Sequence, residues 1–121
     1  MNALADAVLT FLLTKHTRVY RNRAIQSPTL PYVVFSLTSA TDTYPSNDYL
    51  LNINLFDNAT SSVRTIEDLA DAIDAGLNLS VITNSSVNAH FVKEIRQWSN
   101  DSELSGSQLV NLQYAVRTYK K

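Results

Sequence analysis

Residues 49–58 (YLLNINLFDN) and residues 63–78 (VRTIEDLADAIDAGLN) carry the two hydrophobic periods that decide the fold. In the first segment Leu51, Ile53 and Leu55 alternate with asparagines, which is typical of a strand with one solvent-exposed face. In the second segment apolar residues recur every three or four positions, which predicts an amphipathic helix. A strand followed so closely by a helix favours a sheet with helices packed against one face.

Shorter regular segments lie on both sides of this central pair. Their apolar spacing predicts, in chain order, a helix over residues 2–15, strands over residues 18–23 and 31–40, a brief strand over residues 81–83, and a long hairpin made of residues 89–98 and 107–119. Simple alternation in the first hairpin strand places Phe91, Lys93 and Ile95 on one side. Residues 41–48, which include Pro45, predict a polar loop.

Together these segments predict one α+β domain over residues 1–121. Its sheet is expected to be mainly antiparallel, with four to five strands and two helices packed on one face, in the order α-β-β-β-α-β-β. A chain of 121 residues is long enough to bury one core. Hydrophobic content of 45% and a net charge of −1 are those of an ordinary globular protein.

Composition and spacing exclude several kinds of chemistry. The chain has no cysteine, so disulfides, thiolate metal sites and a cysteine nucleophile are excluded. Two separated glycines cannot form a phosphate-binding loop, and no G-x-S-x-G sequence exposes a nucleophilic serine. His16 and His90 have no partner at metal-ligand spacing. We therefore expect no catalytic residue, no cofactor and no metal, and predict that the protein is not an enzyme.

No membrane association is expected from the sequence. The apolar run over residues 3–14 is far shorter than the roughly 20 residues that cross a bilayer. It also contains Asp6 and lacks a basic leading region. A helix packed on the sheet is the better interpretation of this segment.

Acidic side chains occupy the polar side of the second predicted helix. A divalent cation needs oxygen ligands that converge on one point, whereas carboxylates spread along a helix more often form a solvated face. We favour the solvated face. The residues concerned are Glu67, Asp68, Asp71 and Asp74.

Basic residues cluster between the first helix and the first strand, at Lys15, Arg18, Arg21 and Arg23. Clustered cations suit phosphate binding, but no recognition helix or base-stacking motif accompanies them, and the sequence pI is about 6.0. We favour a contact between this basic stretch and the acidic helix of a neighbouring identical subunit. Complementary patches on different faces of one protomer produce a head-to-tail contact, which can close into a ring.

The order of elements resembles that of the tail terminator, or tail-completion, proteins of long-tailed bacteriophages and related prophage elements. The resemblance lies in the N-terminal helix, the strand beginning at Val19-Tyr20, the proline-led strand PYVVF, the strand-to-helix passage from LNINLFD to residues 66–77, and the C-terminal hairpin with its polar loop SNDSELSG. It covers nearly the whole chain.

This resemblance implies a ring, typically hexameric, at the head-proximal end of the tail tube. Such a ring stops tube polymerisation and joins the tail to the head connector, so the implied partners are further copies of the chain, the tail tube protein and the connector or stopper protein. It implies a place in the virion tail, after assembly in the host cytoplasm. No specific nucleic-acid ligand is implied, although DNA can pass through such a ring.

The resemblance also implies contact residues. The polar hairpin loop is expected to touch the tube or the connector through Asn100, Asp101, Ser102, Glu103 and Leu104.

Two alternative functions stay open from the sequence. The first is a head-closure or neck protein, or another minor tail component, which shares the same biology. The second, more distant, is a nucleic-acid-binding α+β module that uses residues 15–23.

Overall fold

In the part of the chain that the structure describes, six strands form one curved sheet, and two helices pack against one of its faces. The computed structural model describes residues 2–22, 32–43, 46–58, 63–83, 87–101 and 107–120. The elements are, in chain order, α1 (Asn2–Leu13), β1 (Val19–Arg21), β2 (Tyr32–Thr43), β3 (Ser46–Asn58), α2 (Val63–Leu77), β4 (Val81–Thr83), β5 (Val87–Asp101) and β6 (Ser107–Lys120).

The strands lie in the order β1-β2-β3-β6-β5-β4. Only β1 and β2 are parallel among these pairs, and the other neighbours are antiparallel. The expected α+β class and the mainly antiparallel sheet are confirmed. The sheet has six strands rather than four to five, because β4 pairs with the outer side of β5 and so counts as a full member.

Two predicted loops are partly strand. β2 continues to Thr43 and β3 begins at Ser46, and these two residues pair with each other, so the loop expected over residues 41–48 is wrong. Similarly, β5 continues to Asp101, which pairs with Ser107. Polar residues join these strands because a long antiparallel neighbour satisfies their backbone groups, a condition that local composition does not reveal.

The core lies between the two helices and one face of the sheet. From α1 this core includes Leu4, Ala5, Val8 and Leu12, and from α2 it includes Ile66, Ala70, Ile73 and Leu77. The strands bury alternate residues against them: Val33, Phe35, Leu51, Ile53, Leu55, Ala89, Phe91, Val110, Leu112, Tyr114 and Val116. We refer to the other, helix-free side of the sheet as the open face.

A β-bulge in β5 changes which residues face the helices. Lys93 pairs with Tyr114, but Ile95 pairs with Gln113, so one extra residue stands between them. Beyond this point Arg96 lies on the helix side. Ile95 lies on the open face and is 44% exposed. The simple alternation expected from the sequence, with Ile95 on the side of Phe91, is therefore wrong.

Candidate functional site

The acidic side of α2 meets cations from β5 of the same chain. Lys93 Nζ lies 2.9 Å from Asp74 Oδ2. Arg96 Nη1 lies 2.7 Å from Asp71 Oδ1, and Arg96 Nη2 also donates to the Glu67 carboxylate. Three of the four acidic residues singled out in the sequence are thus paired within the chain.

Tyr114 extends this network into the core. Its hydroxyl donates a hydrogen bond of 2.7 Å to Asp74 Oδ1. Burial alone would raise the pKa of Asp74, but the hydrogen bonds from Tyr114 and Lys93 and the nearby positive charges lower that pKa below its ordinary value. Burial, followed by the hydrogen bond and charge of Asp74, raises the pKa of Tyr114. The carboxylate of Asp74 is therefore held ionised between α2 and the sheet.

The sequence did not predict that Lys93 and Arg96 join this network, because the bulge between them brings them to the same face. In a regular strand, residues three positions apart point to opposite faces. The extra residue places Lys93 and Arg96 on the same face, towards α2. Asn78, just after α2, supports the bulge: its Oδ1 accepts a hydrogen bond of 2.9 Å from the backbone N–H of Lys93. No signal in the local sequence marks this arrangement.

The basic residues lie at the opposite edge of the sheet. Arg18 and Arg21 flank and end β1, which is the first strand in the sheet order, whereas β5 is next to last. The guanidinium of Arg21 donates to Asn2 Oδ1 at 3.1 Å. Arg23 lies outside the described residues. The structure therefore separates the basic and acidic candidates across the width of the sheet, and their expected contact between subunits stays a prediction.

The candidate contact loop is only partly described. Asn100 and Asp101 belong to β5, where they pair with Gln108 and Ser107. Ser102, Glu103 and Leu104 lie outside the described residues. Trp98, three residues before β5 ends at Asp101, is 45% exposed, and its indole N–H donates to Gln108 Oε1 at 3.3 Å.

The open face is polar in its centre and aromatic at one side. Asn111 Nδ2 donates to Asn54 Oδ1 across β6 and β3 at 2.7 Å. At the β1–β2–β3 side, Tyr32 stacks on Phe56 with ring centres 4.9 Å apart and meets Tyr20 edge-on at 6.2 Å. Such a surface offers contact area and hydrogen bonds rather than a reaction centre.

A shallow groove of about 450 Å³ lies on the open face towards the Thr43 end of β2. Its apolar lining includes Leu50, Val92 and Ala115. At its rim, Arg117 Nε lies 3.0 Å from Asp48 Oδ1, and the rings of His90 and Tyr119 meet edge-on. The charged groups at this rim thus pair with each other.

Two further findings concern the described residues alone. Among them, no three His, Asp or Glu side chains are grouped so as to hold a metal ion. Neither α1 nor α2 combines the length and the apolar character that a membrane-crossing helix needs.

Comparisons with known proteins identify the fold but no family. No protein-family model matches the chain, and no curated protein matches it. A chain from the virion of a native gene transfer agent particle superposes with a TM-score of 0.68 at 16% identity, over 89% of this chain and 84% of that one. A second solved structure, which carries no functional name, superposes with a TM-score of 0.64 at 10% identity, over 94% of both chains. At these identities the likeness establishes a shared fold.

Proposed function

We propose that this protein is a structural component of a bacteriophage-type virion, and specifically a tail terminator. In this role it forms a ring at the head-proximal end of the tail tube, stops tube polymerisation and joins the tail to the head connector. The observation that carries the proposal is the fold shared with a virion chain of a gene transfer agent over most of both proteins. The order of elements in the sequence supports the finer assignment.

The distribution of charge supports a ring of identical copies. The basic residues at β1 and the acidic residues of α2 occupy opposite sides of one molecule. A contact between two such unlike surfaces is head-to-tail, and it closes into a ring when the rotation from one copy to the next divides a full turn. Three acidic residues of α2, Glu67, Asp71 and Asp74, pair with Lys93 and Arg96 of the same chain rather than converging on a pocket, which suits a protein that works through surfaces.

The decisive experiment removes the protein from assembling particles and images them by electron microscopy. Loss of a terminator leaves tubes that grow beyond their normal length. Loss of a head-closure protein leaves tails of normal length and heads that leak DNA. Overlong tails support the proposal, and normal tails with leaking heads assign the protein to the neck instead.

A second experiment measures mass by light scattering, with and without the tail tube protein of the same particle. We expect a closed oligomer, either free or on tube ends. A chain that stays monomeric under all conditions and never associates with tube ends would contradict the proposal.

A further inference from the structure

The open face carries no charge over four successive rows of residues that pair across β2, β3, β6 and β5. These rows run from the pair of Tyr32 and Phe56 to the pair of Thr38 and Leu50. None of the residues paired in them is charged, although 17% of the chain is charged. Glu94 is the extra residue of the bulge and is not paired in these rows. Depletion of charge is typical of the core of an interface, whereas a surface that meets only water usually carries charge.

Exposed apolar side chains gather at one end of this uncharged area. Val92, which lines the groove of the open face, is 49% exposed, and Ile95 in the next row is 44% exposed. Tyr119, which also lines the groove, is 37% exposed. The groove lies above Ala115, a small residue that stands between Leu50 and Val92 in its row. The side chains of β5 thus form an apolar ridge beside an apolar groove along β6.

A surface that covers this ridge and groove has to be apolar and uncharged as well. The helix side of another copy does not fit, because α2 presents exposed carboxylates there, at Asp68 and Asp71. Burying them against amides and apolar groups would remove their water without supplying a counter-charge. The open face of a second copy does fit, because it offers an apolar groove for the ridge and an apolar ridge for the groove.

A two-fold axis parallel to the strands, between β5 and β6, brings two open faces together in this way. Such an axis keeps each row level with the same row of the other copy, so uncharged rows meet uncharged rows. It places β5 of each copy over β6 of the other, and Val92 enters the groove above Ala115 of the other copy. In the neighbouring row Arg117 already pairs with Asp48 of its own copy, so this row adds no net charge. Sheets stacked face to face pack about 10 Å apart.

We infer that two copies of this chain pack their open faces together through the ridge of β5 and the groove along β6. The inference goes beyond the proposed ring and does not depend on it, since the charges that support the ring lie at β1 and α2. The contact spans three strands and some five residues along each, a footprint of roughly 250 Å². A stable interface buries about 800 Å² per partner. The dimer is therefore weak and reversible.

Sedimentation equilibrium of the full chain over a wide concentration range tests the dimer. High ionic strength screens the charge-driven contact of the proposed ring and leaves an apolar contact in place. Val92→Lys puts a charge on the ridge and should weaken dimerisation by at least about tenfold. Leu13→Lys is the matched control, because Leu13 is 47% exposed but lies at the end of α1. Equal weakening by both variants, or an unaltered chain that stays monomeric, would overturn the inference.

Cysteine cross-linking locates the contact. The chain has no cysteine, so a disulfide forms only between introduced residues. A mixture of Val92→Cys and Ala115→Cys chains should give more disulfide-linked dimer than either chain alone, since these two residues face each other across the two-fold axis. Leu13→Cys mixed with Ala115→Cys should give no such excess. An equal yield from the two mixtures would contradict the arrangement.

The outcomes for the open face and for the proposed function are separable. A chain that associates with tube ends but forms no open-face dimer overturns this inference and leaves the proposed terminator intact. In that case the open face is left for a different protein, such as the tail tube protein. A chain that forms the dimer but never associates with tube ends supports this inference and removes the proposed terminator.

Discussion

At the residue scale, two non-glycine residues within the described ranges adopt a left-handed backbone, and both lie beside the short edge strands. Asn22 follows β1 with a φ of 68°, and Leu79 precedes β4 with a φ of 61°. Asparagine tolerates this region, whereas leucine is strained there. Leu79 is 77% exposed, and its N–H bonds to Phe91 O at 2.8 Å, so backbone pairing rather than side-chain packing holds it.

Replacing Leu79 should therefore change stability through the backbone. We expect Leu79→Asn to raise the free energy of unfolding by about 1 kcal/mol, since relief of the left-handed strain outweighs the little packing lost. Leu79→Val should lower it, because a β-branched side chain is still less compatible with this φ. Urea unfolding of both variants tests this, and equal effects from the two would contradict it.

Gly76 is required by a close contact between the helices. A Cβ at this position would lie 2.9 Å from two ring atoms of Phe11 in α1. An alanine at this position should raise the free energy of unfolding by about 1 kcal/mol through its higher helix propensity, but the ring of Phe11 has to move to make room for the Cβ. We expect Gly76→Ala to gain nothing in the natural chain and to stabilise by about 1 kcal/mol in a Phe11→Ala background. Thermal unfolding of the four proteins gives the coupling, and additive effects would contradict the contact.

Asp74 should make stability depend on pH in the acidic range. Its folded pKa is lowered, so its contribution is present above the ordinary carboxyl pKa and is lost as pH falls through the lowered value. We expect Asp74→Asn to cost about 1–3 kcal/mol at neutral pH. This difference should shrink below about pH 4. Urea unfolding at neutral and acidic pH measures it, with the exposed Asp68→Asn as control; a difference that does not depend on pH would contradict the assignment.

At the scale of elements, the bulge in β5 decides what the strand contributes to the core. Before it, Phe91 is fully buried against the helices. After it, Arg96 reaches the acidic side of α2, and Ile95 lies on the open face. Because of this one extra residue, the part of β5 after the bulge contacts α2 through the ion pairs of Arg96 rather than through buried apolar side chains.

Alanine substitution on the two sides of the bulge tests this arrangement. Phe91→Ala should destabilise by about 3–5 kcal/mol, because it empties a buried site. Ile95→Ala should cost less than about 1 kcal/mol, because the side chain is half exposed on the open face. Simple alternation would instead make both substitutions severe. Similar large losses in the free energy of unfolding would therefore show that the bulge is absent.

At the scale of the whole molecule, positive and negative charges are nearly equal in number, but they lie on different parts of the molecule. The net charge is −1, with cations beside β1 and an excess of carboxylates on α2 and β5. A separation of this kind favours one orientation between identical copies and disfavours the reverse. It also makes association sensitive to salt.

Charge reversal on one side should therefore weaken assembly. We expect Arg21→Glu to lower association of the chain at low ionic strength by roughly tenfold and to reduce its dependence on salt, since a like charge then faces the neighbour's acidic side. Arg64→Glu in α2 changes the net charge equally but on the acidic side, and it should not weaken association. Light scattering across a salt series measures both, and equal losses from the two would point to net charge alone.

Much of the architecture could be predicted from local pattern. The bounds of both helices agree with the expected segments to within about two residues, which is the usual uncertainty of helix ends. The predicted strand with alternating asparagines is β3, and these asparagines lie on the open face, as the alternation predicts. Of the candidate residues, the acidic set was expected to form a solvated helix face, but Glu67, Asp71 and Asp74 pair with Lys93 and Arg96 of β5, and Asp74 lies between α2 and the sheet.

The sequence by itself determined the α+β class. Apolar residues three or four positions apart mark a helix with one buried face, and apolar residues two positions apart mark a strand with one buried face. Only the tertiary structure decided that β4 pairs at the edge, that the bulge turns Arg96 towards α2, and that the basic and acidic residues lie at opposite edges. These features depend on hydrogen bonds between segments far apart in the chain, and a shift of one residue in such a ladder exchanges the faces of every side chain beyond it.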